Sequence, residues 1–162
     1  MNEVLRIQVI IDECDIHAQR LQDAYSRLLP LFPFTEKTLV NMNKDDLAYL
    51  DMLIGRFAKL QDTIGGRLFP EVIIMLDPKF EGRTHIDILN RLEKSNLLKS
   101  AKEWKIIRDF RNKLTHEYPN KPEIVVENIN KSLNYIQDLL AYWKTLKPQV
   151  MDIIDQYQKK FA

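Results

Sequence analysis

One short stretch gathers the residue types that metal-free RNA cleavage asks for: Arg111-Asn112-Lys113-Leu114-Thr115-His116-Glu117-Tyr118. In that chemistry a base removes the proton of a ribose 2′-OH. The freed oxygen attacks the adjacent phosphorus, and the 5′-oxygen of the next nucleotide leaves. Imidazole suits the proton transfer because its ordinary pKa lies near neutrality. A guanidinium suits the phosphate oxygens because it is permanently charged and offers paired N–H donors. On this reading Arg111 and His116 are the candidate catalytic pair, with Arg108 as a supporting cation.

The spacing alone is weak, since three His among 162 residues give some Arg-x4-His pair by chance roughly one time in six. The setting strengthens it. Lys99, Lys102, Lys105, Arg108, Arg111 and Lys113 make this the most basic stretch of the chain, opposed before His116 only by Glu103 and Asp109. The net charge is +1, so any nucleic-acid affinity must come from a local patch of this kind. On an ideal helix Arg111 and His116 point about 140° apart. They converge if the helix ends early, or if a second copy of the chain supplies the other half. A two-fold homodimer would place two such sets at one interface.

The elements that must position these residues are helical. Ser100 followed by Glu103 is a capping box that opens the motif helix. Ile107, Phe110 and Leu114 form its buried stripe, with Arg108, Asn112, Thr115 and His116 on the polar side and Arg111 at the edge. Tyr118 precedes Pro119, which ends the helix about there. Upstream, Ile7, Ile11, Cys14, Ala18, Leu21, Tyr25 and Leu28 mark a long amphipathic helix, with Asp12, Asp15 and Asp23 facing water. Asn43 and Asp46 open a second long helix, which Gly65-Gly66 and Pro70 should kink or break. Thr84 and Asp87 cap a short helix to about Asn96. Pro122 starts a last helix with core positions Val126, Ile129, Leu133, Ile136, Leu140 and Trp143, kinked or restarted at Pro148. No segment alternates with a two-residue period, so the expected fold is all-α: an up-and-down bundle of four to five helices, no sheet, one domain over 1–162.

Composition agrees with one globular domain: 45% hydrophobic and 29% charged residues, in a chain long enough for a core of its own. A single cysteine, Cys14, excludes an intrachain disulfide and fits a reducing compartment. The N-terminal apolar run is broken by Arg6 and Gln8 and ends in acid, which fits neither a signal peptide nor a membrane span. The expected localisation is cytoplasmic, with no membrane association. No His, Asp and Glu grouping has metal-ligand spacing and no Gly-rich loop has a phosphate-binding pattern, so no metal or cofactor is expected.

The string RDFRNKLTHEYP, ending at Pro119, resembles the HEPN signature in its Arg-x4-His-x-Tyr form. That form is typical of HepT-like toxins encoded beside a minimal nucleotidyltransferase antitoxin. The identification rests on Arg111, Asn112, His116 and Tyr118, and the order of long helices is similar over most of the chain. The resemblance implies a metal-independent endoribonuclease that acts as a homodimer on RNA, tRNA or mRNA among the candidates. Arg111 would stabilise the scissile phosphate, His116 would be the acid/base and Asn112 would support the site. The cognate nucleotidyltransferase would adenylylate Tyr118, placing a bulky anion beside His116. The class also contains non-catalytic accessory subunits that hold substrate or dock a nucleotidyltransferase.

Each residue also has a purely structural role open to it. His116 fits a helix C-cap favoured by the dipole. Arg111 fits a stem packed on the core edge, and Tyr118 a loop aromatic sealing a helix end. Trp104 and Trp143 sit near apolar stripes and read as packing residues. His17 reads as a satisfied helix histidine and His85 as solvent-facing.

Overall fold

Side-chain caps set where the helices begin. A computed structural model describes residues 2–82 and 84–161 of the chain, and they are helical with no strand among them. Helix α1 (Glu3–Leu28) starts where Asn2 Oδ1 accepts the Leu5 N–H at 2.8 Å. A 3-10 turn (Leu29–Leu31) and the short α2 (Glu36–Val40) lead to α3 (Lys44–Thr63), where Asn43 Oδ1 accepts the Asp46 N–H at 2.7 Å. Beyond it come α4 (Phe69–Leu76), α5 (His85–Lys94), α6 (Ala101–Thr115) and α7 (Pro122–Phe161). Thr84 and Asp87 cap α5 reciprocally, and the Ser100 hydroxyl accepts the Glu103 N–H at 3.1 Å to open α6. Each such cap stabilises its helix by about 1 kcal/mol.

The long helices form a ring of antiparallel neighbours. Along α1, Arg27 meets Asp46, His17 meets Arg56, Glu13 meets Arg67 and Arg6 meets Glu71, so α3 and α4 run against α1. Glu3 with Tyr157, Asp15 with Trp143, and Tyr25 with Gln137 set α7 against α1. Phe57 packs on Phe110 across α3 and α6, and Phe110 stacks on Tyr135 across α6 and α7, centroids 4.3 Å apart. The bundle is therefore up-and-down, with α5 laid against α4 and α6. Ile7, Ile11, Leu21, Leu53, Phe57, Leu60, Ile136 and Leu139 are buried in its centre, each worth about 1.5–3 kcal/mol of transfer free energy.

Several local expectations are corrected. Regular α-helix gives way at Gly65-Gly66, and Pro70 sits in the first turn of the next helix, but the rod does not end there. A π-turn (Ile64–Leu68), in which the Phe69 N–H donates to the Ile64 carbonyl, carries α3 into α4. The longer ring accommodates an extra residue and rotates the helix beyond it. Pro148 neither ends nor restarts α7, which runs unbroken from Pro122 to Phe161. Leu146, Val150 and Ile154 are buried on both sides of it, and that packing outweighs the usual cost of about 3 kcal/mol. The α7 core also differs from the expected stripe. Ser132, Leu139 and Leu146 are buried, whereas Val126, Leu133 and Leu140 are only half-buried, because α7 faces both α1 and α6. Ser132 is tolerated there because its hydroxyl donates to the Ile129 carbonyl at 2.6 Å. Asp15 does not simply face water: it accepts from Trp143 Nε1 at 3.0 Å and Lys147 Nζ at 2.5 Å. No helix among the described residues is long and apolar enough to cross a membrane.

Candidate functional site

Helix α6 carries the motif and ends within it. The Thr115 hydroxyl donates to the Arg111 carbonyl at 3.0 Å, and the His116 N–H donates to the Lys113 carbonyl at 3.3 Å. His116 itself is extended, with φ −75° and ψ 138°. Such a conformation takes it out of the helix, so its side chain is released from the helical register that separated it from Arg111. His116 is exposed, and its ring lies edge-on to the half-buried Tyr118 ring, with centroids 5.1 Å apart and planes at 70°.

Arg111 lies one turn earlier and faces α3. Its Nη1 pairs with Asp62 Oδ1, and its Nε and Nη2 donate to Asn112 Oδ1 at 3.2 and 2.7 Å. Burial lowers the pKa of the Arg111 guanidinium, which still stays charged at neutral pH. No hydrogen bond or ion pair joins Arg111 to His116 among the described residues.

Lys99, Lys102, Lys105, Arg108 and Lys113 are all exposed, and none takes part in an ion pair among the described residues. Exposed cations free of ion pairs, on this helix and just before it, are available to phosphates. Arg108 also lines a groove of about 200 Å³ together with Gln61, Asp62, Gly65, Gly66 and His85. His85 is half-buried in this groove rather than solvent-facing. Burial first, and then Arg108, lower its pKa, so its ring is neutral at pH 7 and offers one N–H and one lone pair. A larger cavity of about 450 Å³ between α6 and α7, lined by Trp104, Tyr135 and Tyr142, holds neither Arg111 nor His116.

Arg111, Asn112 and Arg108 thus gather on the α3 side of α6, with His116 and Tyr118 beyond its end. Trp104 and Trp143 are buried, in keeping with packing roles. His17 takes an Arg56 Nη1–H on Nδ1 at 2.9 Å. Asp62, Gln61 and the groove position of His85 carry no signal in the sequence. An acid on one helix and an arginine on an antiparallel one leave no local pattern, and only the register between α3 and α6 connects them. Among the described residues no three His, Cys, Asp or Glu side chains are grouped as a metal site. No family model, curated protein or solved structure matches the chain.

Proposed function

We propose that this chain is a HEPN-class, HepT-like ribonuclease, a metal-independent endoribonuclease toxin that works as a homodimer. The observation that supports the reading most is the end of α6. His116 sits exposed just past the last turn, while Arg111 one turn earlier is pinned by Asp62 and Asn112. Within one chain no hydrogen bond or ion pair joins the two among the described residues. A second copy facing this end of the bundle brings another His116 and another Arg111, so that one imidazole takes the 2′-OH proton and the other protonates the leaving 5′-oxygen. Arg111 bears on the phosphate oxygens, where charge accumulates during attack. The unpaired cations of α6 hold the flanking strand. Adenylylation of Tyr118 by a cognate nucleotidyltransferase puts an anion against His116 and closes the site.

A second reading has its own observation. Arg111 already spends its charge on Asp62, which suits a non-catalytic accessory subunit that docks a nucleotidyltransferase. Incubation of purified protein with total RNA and tRNA in excess EDTA, beside Arg111→Ala and His116→Ala, separates the two. Cleavage by wild type alone, leaving cyclic phosphate ends, is the expected result. No cleavage by wild type whose mass shows an unmodified Tyr118 overturns the ribonuclease reading in favour of the accessory one.

A further inference from the structure

We propose that the groove beside the π-turn is a guanine-binding subsite. The claim deepens the ribonuclease reading, on which its link to the cut depends, by naming the base that sits next to the scissile phosphate. The groove's volume of about 200 Å³ equals that of about six or seven waters, which is room for one nucleobase.

Its floor is the glycine pair. A Cβ at Gly66 would meet no atom within 4 Å, so no side chain closes the groove there. Gly65 beside it is pressed on Trp104, where a Cβ would lie 3.2 Å from the indole. The π-turn sets the Gly65 backbone against Trp104 of α6, where a regular helix would present a side chain.

The walls carry opposite hydrogen-bonding character. On the α3 side stand Asp62 and Gln61. Asp62 meets Arg111 through Oδ1, and its side chain is 64% exposed, which leaves Oδ2 open to a donor in the groove. Gln61 is 2% exposed, and its Oε1 has no hydrogen-bond partner. A buried amide oxygen left so is costly, and a donor brought into the groove can offset that cost. On the other side stand Arg108, which has no ion pair among the described residues, and the neutral ring of His85.

That division selects a base. Guanine alone among the four presents two neighbouring N–H donors, N1–H and N2–H, which match a carboxylate oxygen and its amide neighbour. Its O6 and N7 acceptors then point toward an arginine, their commonest specific partner. Adenine, cytosine and uracil each set a ring acceptor or carbonyl next to their donor, and would aim it at the Asp62 carboxylate. A guanine on Asp62 lies one side chain from Arg111, which sets the bound nucleotide beside the proposed catalytic arginine. The guanine can belong to an RNA strand or to a free guanine nucleotide, which use the same contacts.

The test is a titration of ¹⁵N-labelled protein with the four nucleoside 3′-monophosphates, inorganic phosphate, GTP, and tetranucleotides with and without guanine, read at the Gly65 and Gly66 amides. The guanine mononucleotide is expected to shift both amides and to bind at least about 10-fold tighter than the other three. Asp62→Asn should remove that preference. Gly66→Leu, which adds a side chain to the groove's lining and leaves every polar group in place, should weaken binding while the remaining spectrum stays native. Tighter binding of the guanine tetranucleotide than of GTP assigns the site to a strand, and the reverse assigns it to free nucleotide. Equal shifts from all four mononucleotides, the same shifts from phosphate alone, or none, overturn the subsite. RNA cleavage without a guanine response overturns the subsite only, and guanine binding without cleavage overturns the ribonuclease reading only.

Discussion

Arg111 of α6 and Asp62 of α3 form an ion pair in which the arginine side chain is 13% exposed and the carboxylate 64% exposed. The arginine is the buried partner, so the pair orients it more than it shields the acid. Asn112 completes the grip from the same helix. These contacts orient Arg111, which the proposed contact to phosphate would require.

The first prediction concerns that grip. Because Asp62 is largely solvated, a double-mutant cycle with Asp62→Ala and Arg111→Ala should give a coupling of about 1 kcal/mol in urea unfolding. RNA cleavage by Asp62→Ala should fall in kcat, since Arg111 loses its orientation while its charge remains. A coupling of zero would mean the pair does not hold Arg111 in solution.

Neighbouring glycines should respond in opposite directions. Gly66→Ala meets open space and removes backbone freedom from the unfolded chain, so it should stabilise by about 0.5–1 kcal/mol. Gly65→Ala puts a methyl 3.2 Å from Trp104. That ring is wedged between Phe69 and Tyr142, at 5.0 and 5.7 Å, and has little room to move, so a loss of about 1–3 kcal/mol is expected. Urea midpoints of the two variants decide, and equal shifts would contradict the packing described.

The contrast between what could and could not be read from the chain tracks the range of the interactions. Asn43, Thr84 and Ser100 announce their helices because a cap acts over three residues. Pro119 marks the end of α6 only roughly, because it restricts Tyr118 alone and the helix stops three residues earlier, at Thr115. The Arg111–Asp62 pair joins residues of different helices and leaves no trace in either. Asp15 reads as a surface acid because it falls off the α1 stripe, yet α7 reaches it with Trp143 and Lys147. Gly65-Gly66 reads as a break because local propensity is against the helix. The π-turn survives through Trp104, which packs where a side chain would otherwise stand. The motif residues were legible, but the groove beside them belongs to three helices at once.

His17 should make the fold acid-sensitive. Arg56 donates to its Nδ1 at 2.9 Å, so that nitrogen must be an acceptor and the ring neutral. Burial first, then Arg56 and Lys59, lower its pKa. A histidine with a lowered folded pKa leaves the unfolded chain binding more protons once pH falls below its ordinary value of about 6.5. Its contribution is therefore fully present above that pH and is lost as pH falls toward the folded pKa. His85, also lowered, acts with the same sign. Urea midpoints across this range should fall with acid, and less steeply in His17→Gln. An unchanged slope would show that His17 does not carry the acid sensitivity.

Cys14 should be inert. Burial first, then Asp15 and Glu13, push its thiol up to about 12, and only the thiolate reacts. Native protein at about pH 8 should show no reaction with an aromatic disulfide reagent. Unfolded protein should release one equivalent from its single thiol. Rapid labelling of the native chain would show that α1 opens to solvent.

The final prediction separates catalysis from silencing at the end of α6. Tyr118 touches His116 with its ring, not its hydroxyl: the centroids are 5.1 Å apart and edge-on. Tyr118→Phe keeps that ring contact and removes the hydroxyl that a nucleotidyltransferase would adenylylate there. RNA cleavage by Tyr118→Phe should therefore stay within about twofold of wild type. Preincubation with a cognate nucleotidyltransferase and ATP should silence wild type and leave the variant active, because an adenylate adds charge and bulk only where the hydroxyl exists. Mass spectrometry of both proteins supplies the control for modification. A Tyr118→Phe chain silenced to the same degree would place the switch on another residue, and one inactive from the start would make the hydroxyl part of the chemistry itself.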